Sequence, residues 1–433
     1  MPASGKRSAP SRENREVASF EGRGVPSTEG RGVPALVERF KATFDGALPS
    51  HLSRAPGRVN LIGEHTDYNG LPVLPMALRR EITLLFSPRD DGRVRVANVD
   101  SEFGPREFTL AYEISPSPAG DWGNYLKAPC QALTRRHGGT ASAPALRGFD
   151  ALVSSTLPVA SGLSSSSALV IAVGGALVHA NGLEIPTLAF AQEMAEAERY
   201  TGTRGGGMDQ AISAGALQGH ASRIEFEPLE LVPTPIPEDW RFLVAHSLVR
   251  AEKSGRAQEA YNLRTRECRQ ALEILAEHGT FRSYRQLLDE MCIQDLVELG
   301  EAHLDGPLLK RFRHVVTEGN RVYDAEHALR RSDRLTFGLL MNASHESLRD
   351  DYEVSSTELD TLVELALAGG AAGARLTGAG FGGCIVALAT RERTPAVLAR
   401  LREGYFLAKE LPGSLEEVLF VAEAGPGASV RAL

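Results

Sequence analysis

Leu157-Pro-Val-Ala-Ser-Gly-Leu-Ser-Ser-Ser-Ser-Ala168 is the stretch from which the fold is read. Upstream, Gly148-Phe-Asp-Ala-Leu-Val-Ser-Ser155 has the composition of a strand. Downstream, Ala168-Leu-Val-Ile-Ala-Val-Gly-Gly-Ala-Leu-Val-His-Ala180 is almost wholly apolar, too long for one strand, and halts at Asn181-Gly182, a helix stop signal. A serine-rich loop therefore turns a strand into a buried helix. Free backbone N–H groups and the helix dipole favour an anion at such a junction. Gly162 permits close approach of a ligand, and the hydroxyls of Ser164, Ser165, Ser166 and Ser167 can cap the helix, bond a phosphate oxygen or reach a metal. Two readings stay open on the loop alone: a cradle for the phosphates of ATP, and a capped helix after a flexible turn. It is not a Walker loop, because no Gly-Lys-Ser/Thr closes it.

The chain has 433 residues, enough for two or three domains with a large core. With 42% apolar and 24% charged residues it has ordinary globular composition, and a net charge of −8 argues against a nucleic-acid-binding body. Cys130, Cys268, Cys292 and Cys384 are scattered, without a Cys-x-x-Cys pair, which fits a reducing compartment and no structural zinc. No apolar run is long enough to span a membrane, and the N-terminus lacks a signal core, so a cytoplasmic protein is expected. Residues 1–34 read as a disordered tail, in which Glu21-Gly-Arg-Gly-Val-Pro26 recurs as Glu29-Gly-Arg-Gly-Val-Pro34.

The body reads as mixed helices and strands without a regular βαβα alternation. The fold class is therefore α+β, with an N-terminal domain over 35–220 and a C-terminal domain over 221–433. Helices are expected at 35–44, 121–136, 187–198, 256–278, 283–300, 307–329, 335–349 and 359–367. The last opens on the capping box Ser355-Ser-Thr-Glu358. Strands are expected at 71–75, 80–86, 94–98, 148–155, 219–226, 241–246, 375–377 and 384–389.

Three further clusters carry chemistry. Ala55-Pro-Gly-Arg-Val-Asn-Leu-Ile-Gly-Glu-His-Thr-Asp-Tyr-Asn-Gly70 packs Glu64, His65 and Asp67 into one turn after a short strand containing Arg58. Carboxylates accept from neighbouring sugar hydroxyls and histidine plays either part. The same trio can ligate a divalent ion, or be a solvated turn. Tyr200-Thr-Gly-Thr-Arg-Gly-Gly-Gly-Met-Asp-Gln210 delivers Asp209 on a loop of glycines just before a helix, where a carboxylate can meet a ligand or merely cap the helix. Glu198 ends the preceding helix and can hold Mg²⁺ with a loop serine, or be an exposed acid. Gly378-Ala-Gly-Phe-Gly-Gly383 either lines the same cleft or packs tightly between two strands. Cys384 reads as a core thiol.

Gly57–Gly70 closely resembles the galactokinase signature. Pro158–Ala168 resembles the ATP loop of the wider GHMP kinase superfamily, and Leu376–Cys384 its third motif. Leu340-Met-Asn-Ala-Ser-His-Glu-Ser-Leu348 and Asp351-Tyr-Glu-Val-Ser355 are also similar to galactokinases. The resemblance runs in order from about residue 50 to 390. It implies a two-domain GHMP kinase fold with the active site in the interdomain cleft, and phosphorylation of galactose by ATP at the anomeric hydroxyl. It implies that Asp209 is the catalytic aspartate and Arg58 the arginine beside the transferred phosphoryl group. Glu64, His65, Asp67 and Tyr261 are then sugar ligands. Ser161, Gly162, Leu163, Ser164, Ser165 and Ser166 bind ATP, and Ser166 and Glu198 hold Mg²⁺. No membrane, nucleic acid or obligate protein partner is implied. Two departures bear on the sugar. Glu198-Arg-Tyr-Thr-Gly-Thr-Arg-Gly-Gly-Gly-Met-Asp209 is similar to the branch containing N-acetylgalactosamine kinases and fungal galactokinases, and Ala379 stands where most galactokinases carry glycine. N-acetylgalactosamine is the alternative substrate. A sensor that binds sugar and ATP without turnover is a third reading, disfavoured by the intact Ser167-Ala168 and Asp209.

Overall fold

The computed structural model describes residues 32–139, 146–158, 161–202, 205–249, 255–411 and 413–433. In chain order the first half contains α1 (Gly32–Thr43), β1 (His51–Asn60), β2 (Pro75–Pro88), β3 (Arg93–Asn98), β4 (Arg106–Thr109), α2 (Gly123–His137), β5 (Phe149–Ser155), α3 (Ser165–Ala180), α4 (Thr187–Glu198), α5 (Met208–Gly215), β6 (His220–Phe226), β7 (Leu229–Pro235) and β8 (Trp240–His246). The second half contains α6 (Gly255–Ala276), α7 (Tyr284–Glu290), α8 (Ile293–His303), α9 (Gly306–Arg330), α10 (Arg334–Asp350), α11 (Thr357–Ala368), β9 (Gly373–Thr377), β10 (Cys384–Thr390), α12 (Thr394–Leu401), α13 (Leu415–Val418), β11 (Leu419–Ala422) and β12 (Ser429–Ala432).

A six-stranded sheet runs β12-β1-β2-β5-β3-β4, with β3 and β5 parallel. A four-stranded antiparallel sheet runs β11-β8-β10-β9, and β6 and β7 form a hairpin. The strand and helix flanking the serine loop are β5 and α3, as anticipated. Leu169, Val170, Ile171, Val173 and Leu177 of α3 are buried, because a helix apolar on all sides has to sit inside a core. It packs on β1 and β2 with α2, α4 and α5 around it. A second core lies over the four-stranded sheet and contains Leu243, Ile385, Leu376, Leu348 and Leu362.

Several boundaries differ from expectation. Helix α1 begins at Gly32, so residues 32–34 belong to it; the rest of the anticipated tail lies outside the described residues. The strands expected at 71–75 and 80–86 are one long β2 preceded by a single bridge, Val73 to Ile224. The helix expected over 283–300 is two, parted by extended backbone at Met291 and Cys292. The cap of α11 is Ser356, which accepts from the Leu359 amide, while Ser355 donates to Asp360 at 2.5 Å. The division near residue 220 separates most strands of the two large sheets. The exception is β12, which lies in the second half of the chain and pairs with β1. No helix among the described residues is long and apolar enough to cross a membrane.

Candidate active site

Four pieces of chain meet at the N-terminus of α3. The serine loop wraps over the end of β1, where the Arg58 amide donates to the Leu163 carbonyl at 3.1 Å. A Cβ on Gly57 would stand 2.5 Å from that carbonyl oxygen, so only glycine lets strand and loop close up. Ser164 is the N-cap of α3 with φ 61°, yet its hydroxyl makes no cap bond and is buried without a partner among the described residues. A non-glycine residue in this region costs strain. The capped-helix reading therefore does not describe Ser164. Ser161 donates to the Pro158 carbonyl at 2.9 Å, and Ser165 and Ser166 are half-buried at the helix mouth.

Asp209 is the second residue of α5, whose cap is Gly207. Its side chain does not cap. Oδ1 accepts from Arg58 Nε at 2.8 Å, and Arg58 Nη1 donates to the Gly162 carbonyl at 2.6 Å. Arg58 thus ties the aspartate to the serine loop, and it is 5% exposed. Oδ2 lies 3.5 Å from Ser167 Oγ, which donates to Glu198 Oε2 at 2.7 Å. Glu198 is buried, also accepts from Gln210 Nε2, and has Oε1 at 3.5 Å from Ser166 Oγ. The exposed-acid alternative for Glu198 is set aside.

The Glu64–Asn69 turn faces Asp209. Thr66 Oγ1 is within 2.9 Å of both the Gly63 and Pro72 carbonyls, and Asn69 Nδ2 donates to the His65 carbonyl at 2.9 Å. The glycine loop before α5 lies directly on it: a Cβ on Gly206 would stand 2.4 Å from backbone atoms of Asp67 and Tyr68. Burial, then the charge of Asp209, raises Asp67 to about 6; the Tyr68 and Met208 amides and Arg58 oppose them. His65 has φ 63° and is buried; burial first, then His314, holds it neutral, down to about 3. Tyr261 of α6 brings its ring within 5.6 Å of His65 and 5.5 Å of Tyr68, centroid to centroid. Burial, then Asp67 and Asp209, raises its phenol well above the ordinary value, so it stays a hydroxyl.

Glu64 points elsewhere. It is 2% exposed, with Oε1 accepting from the Gly378 amide and Oε2 from Asn60 Nδ2 and from Arg375 Nη1 at 3.3 Å. Three donors on a carboxylate leave room for one more at most. Glu64 is thereby an internal strut whose carboxylate keeps one acceptor position. Its bond to Gly378 joins the Glu64–Asn69 turn to the third glycine loop, which adjoins the serine loop at Gly162. Tight packing and cleft-lining, posed as alternatives for that loop, are the same arrangement.

Sequence reasoning missed the groups beneath. Arg375 is fully buried and donates to Ser344 Oγ at 3.0 Å and the Asn60 carbonyl at 3.1 Å. Glu318 of α9, fully buried, accepts from the Gly63 and Glu64 amides at 2.9 and 3.3 Å, from Ser344 Oγ at 2.6 Å and from Arg321 Nε at 2.8 Å. Burial opposes ionisation of Glu318, but Arg321 and Arg375 outweigh it and bring the carboxyl to about 2. Burial raises Glu64, against the charges of Arg375 and Arg58. Among the described residues no three His, Cys, Asp or Glu groups converge as a metal site, so the metal-binding alternative for the turn finds no geometry. Burial pushes the Cys384 thiol well above its ordinary value, as a core thiol requires.

Residues 38–88 match the galactokinase galactose-binding signature, 124–216 the GHMP kinases N terminal domain and 325–406 the GHMP kinases C terminal. The chain is 39% identical over 378 residues to a galactokinase of Actinobacillus succinogenes, covering 86% of this chain and 93% of that protein. The chain belongs to the galactokinase family. It is also 40% identical to a galactokinase of Chloroflexus aurantiacus, over 83% of this chain and 89% of that one. Among solved structures, Lactococcus lactis galactokinase complexed with galactose is similar with a TM-score of 0.82 and 32% identity, over 92% of this chain and 99% of that chain. A mevalonate kinase structure is 20% identical with a TM-score of 0.55, over 81% of this chain and 95% of that one, a likeness of fold alone. The galactose-binding signature contains both Arg58 and the Glu64–Asn69 turn, whereas Asp209 and Glu198 fall in the GHMP N-terminal match.

Proposed function

We propose that this chain transfers the γ-phosphoryl group of ATP to the anomeric hydroxyl of galactose, giving galactose 1-phosphate and ADP. The observation that carries this is the Arg58–Asp209 pair, held between the serine loop and the Glu64–Asn69 turn. It sets one carboxylate between the serine loop, read as a phosphate cradle, and the turn read as binding hydroxyls. Asp209 orients the sugar hydroxyl and takes its proton as the bond from that oxygen to the γ-phosphorus forms and the bond to the β-bridging oxygen breaks. Arg58 fixes the aspartate's direction and brings positive charge beside the transferred group. The amides of Ser161, Gly162, Leu163, Ser164, Ser165 and Ser166 receive phosphate oxygens at the positive end of α3, and the orphaned Ser164 hydroxyl gains a partner there. Catalysis is positioning with electrostatics, and no covalent intermediate is needed.

On the sugar side Asp67 accepts from hydroxyls, His65 and Tyr261 contribute polar edges of aromatic rings, and Glu64 supports the turn. Ser166 and Glu198 would hold Mg²⁺: one carboxylate with adjacent hydroxyls is the oxygen-only set this ion takes before phosphates fill its shell. When bound, the ion neutralises charge on the nucleotide phosphates. Likeness to galactokinases from several bacteria favours galactose over N-acetylgalactosamine. Four cysteines without a disulfide suit the cytoplasm.

The test is ADP release with Mg-ATP and galactose, N-acetylgalactosamine, glucose or arabinose. Galactose is expected to turn over far faster than the others, and Asp209→Asn to lose about 10²–10⁴-fold in kcat while ATP still binds by titration calorimetry. Undiminished turnover by Asp209→Asn would sink the assignment.

A further inference from the structure

His65 holds a left-handed backbone, with φ 63°, in which its Cβ crowds the carbonyl oxygen of the residue before it. Such a conformation persists only where the surroundings over-determine it. The φ of His65 is the angle at which the planar Glu64–His65 peptide stands about the N–Cα bond of His65. Whatever holds the Glu64 carbonyl therefore holds that angle.

Helix α9 supplies the hold. His314 and Glu318 stand four residues apart and so share a face of the helix. Glu318 Oε1 accepts from the Gly63 and Glu64 amides at 2.9 and 3.3 Å. His314 Nε2 lies 3.1 Å from the Glu64 carbonyl oxygen. One turn further on, Val322 closes the space beside Gly63, where an added Cβ would stand 2.6 Å from a Val322 methyl. Both backbone groups of Glu64 are thus gripped by side chains of one helix.

The direction of the His314 bond is fixed by its partner. A carbonyl oxygen only accepts, so Nε2 carries a proton. Nδ1 lies 2.9 Å from Ser347 Oγ, which also lies 3.2 Å from Asp351 Oδ2. Burial, against the charge of Glu318, holds the imidazole neutral, down to about 4. The ring then has a single N–H, and Nδ1 takes the proton of Ser347. Asp351 also has Arg313 at 3.6 Å, so it does not depend on that hydroxyl.

We propose that His314 is a positioning residue: its Nε2–H, acting with Glu318, holds the Glu64–His65 peptide in the orientation that presents the His65 and Asp67 side chains to the sugar. The identity of the sugar rests on the proposed function; the anchorage does not.

Histidine-labelled protein without sugar at pH 7, read by long-range proton–nitrogen NMR, tests the anchorage, with the His314 signal identified by its loss in His314→Gln. A protonated Nε2 is expected. A bare Nε2 with a protonated Nδ1 would overturn the proposal whatever the substrate. In kinetics His314→Leu, which fills the space without a donor, should raise the galactose KM by about tenfold, the worth of one hydrogen bond, with kcat and the ATP KM changing far less. His314→Gln, whose amide reaches about as far as Nε2, should recover most of that loss. An unchanged galactose KM in His314→Leu, or equal loss in the two variants, would overturn the positioning role even with the proton found on Nε2. Melting curves of both variants separate these effects from failure to fold, and the NMR result, read on the natural chain, decides the anchorage even if no sugar turns over.

Discussion

Replacing Glu318 separates two jobs that one buried carboxylate performs. Its Oε1 holds the Gly63 and Glu64 amides, and its charge balances Arg321 and Arg375. In Glu318→Gln the acceptor remains and the charge is lost. Removing one partner of a buried ion pair costs about 3–5 kcal/mol. The pKa gives a similar size: between the ordinary 4.5 and about 2, at 1.36 kcal/mol per pH unit, lie roughly 3 kcal/mol. That contribution is complete above pH 4.5 and is lost as pH falls towards 2. With a urea slope of about 2–3 kcal/mol per molar, the midpoint at pH 7 should fall by roughly 1–2 M. The galactose KM of Glu318→Gln should stay close to natural, because the turn keeps its anchor. Glu318→Ala loses the anchor as well and should raise that KM severalfold. Urea titration and initial-rate kinetics on both variants read the two effects. A stability loss below about 1 kcal/mol in Glu318→Gln, or equal KM values in the two variants, would refute this division of labour.

Asp67 titrates near 6, so the galactose KM should climb as pH drops below about 6, and Asp67→Asn should show a weaker but flat profile. Because that carboxyl is raised in the folded state, its ionisation costs stability as pH rises through 6, and Asp67→Asn should melt higher than the natural chain at pH 8. Neutral His65, His314 and His345, brought to about 3, 4 and 4, together with lowered His51, Glu318 and Glu353, make the unfolded chain bind more protons than the folded one as pH drops below 6.5, against raised Asp67 and Glu64. Stability should therefore fall as pH is lowered from 6 to 4; a urea midpoint that rises as pH is lowered over that range would contradict it. Gly57→Ala forces a methyl against the Leu163 carbonyl and the Leu157 side chain. It should cost about 1–3 kcal/mol in urea titration and raise the ATP KM more than the galactose KM.

What was legible in the sequence is what is local. The strand, serine loop and apolar helix around residues 148–180 declare themselves by composition, and α9 and α10 by periodicity. Arg58 and Asp209 were readable as motif residues, and the structure joins them across 151 positions. Arg375 and Glu318 carry no such signal. One is a charged residue in a strand and the other a charged residue in a helix, and only the fold reveals that both lie under the Glu64 turn. Glu64 shows the converse: a motif identifies the residue, while the direction of its carboxylate depends on Arg375 and Gly378, more than 300 positions away. The break between α7 and α8 went unseen because neither Met291 nor Cys292 is a helix breaker by type.

The pairing of β12 with β1 sets an order of events during synthesis. β1 leaves the ribosome long before β12 and contains Arg58, yet its outer edge stays unpaired until residues 429–432 have been translated. Until then the nascent half offers an open strand edge, the kind of template on which chains pair with strangers. Final assembly of this sheet therefore waits on a strand at least 375 positions further along the chain, and each copy remains exposed to its neighbours on a polysome until that strand arrives.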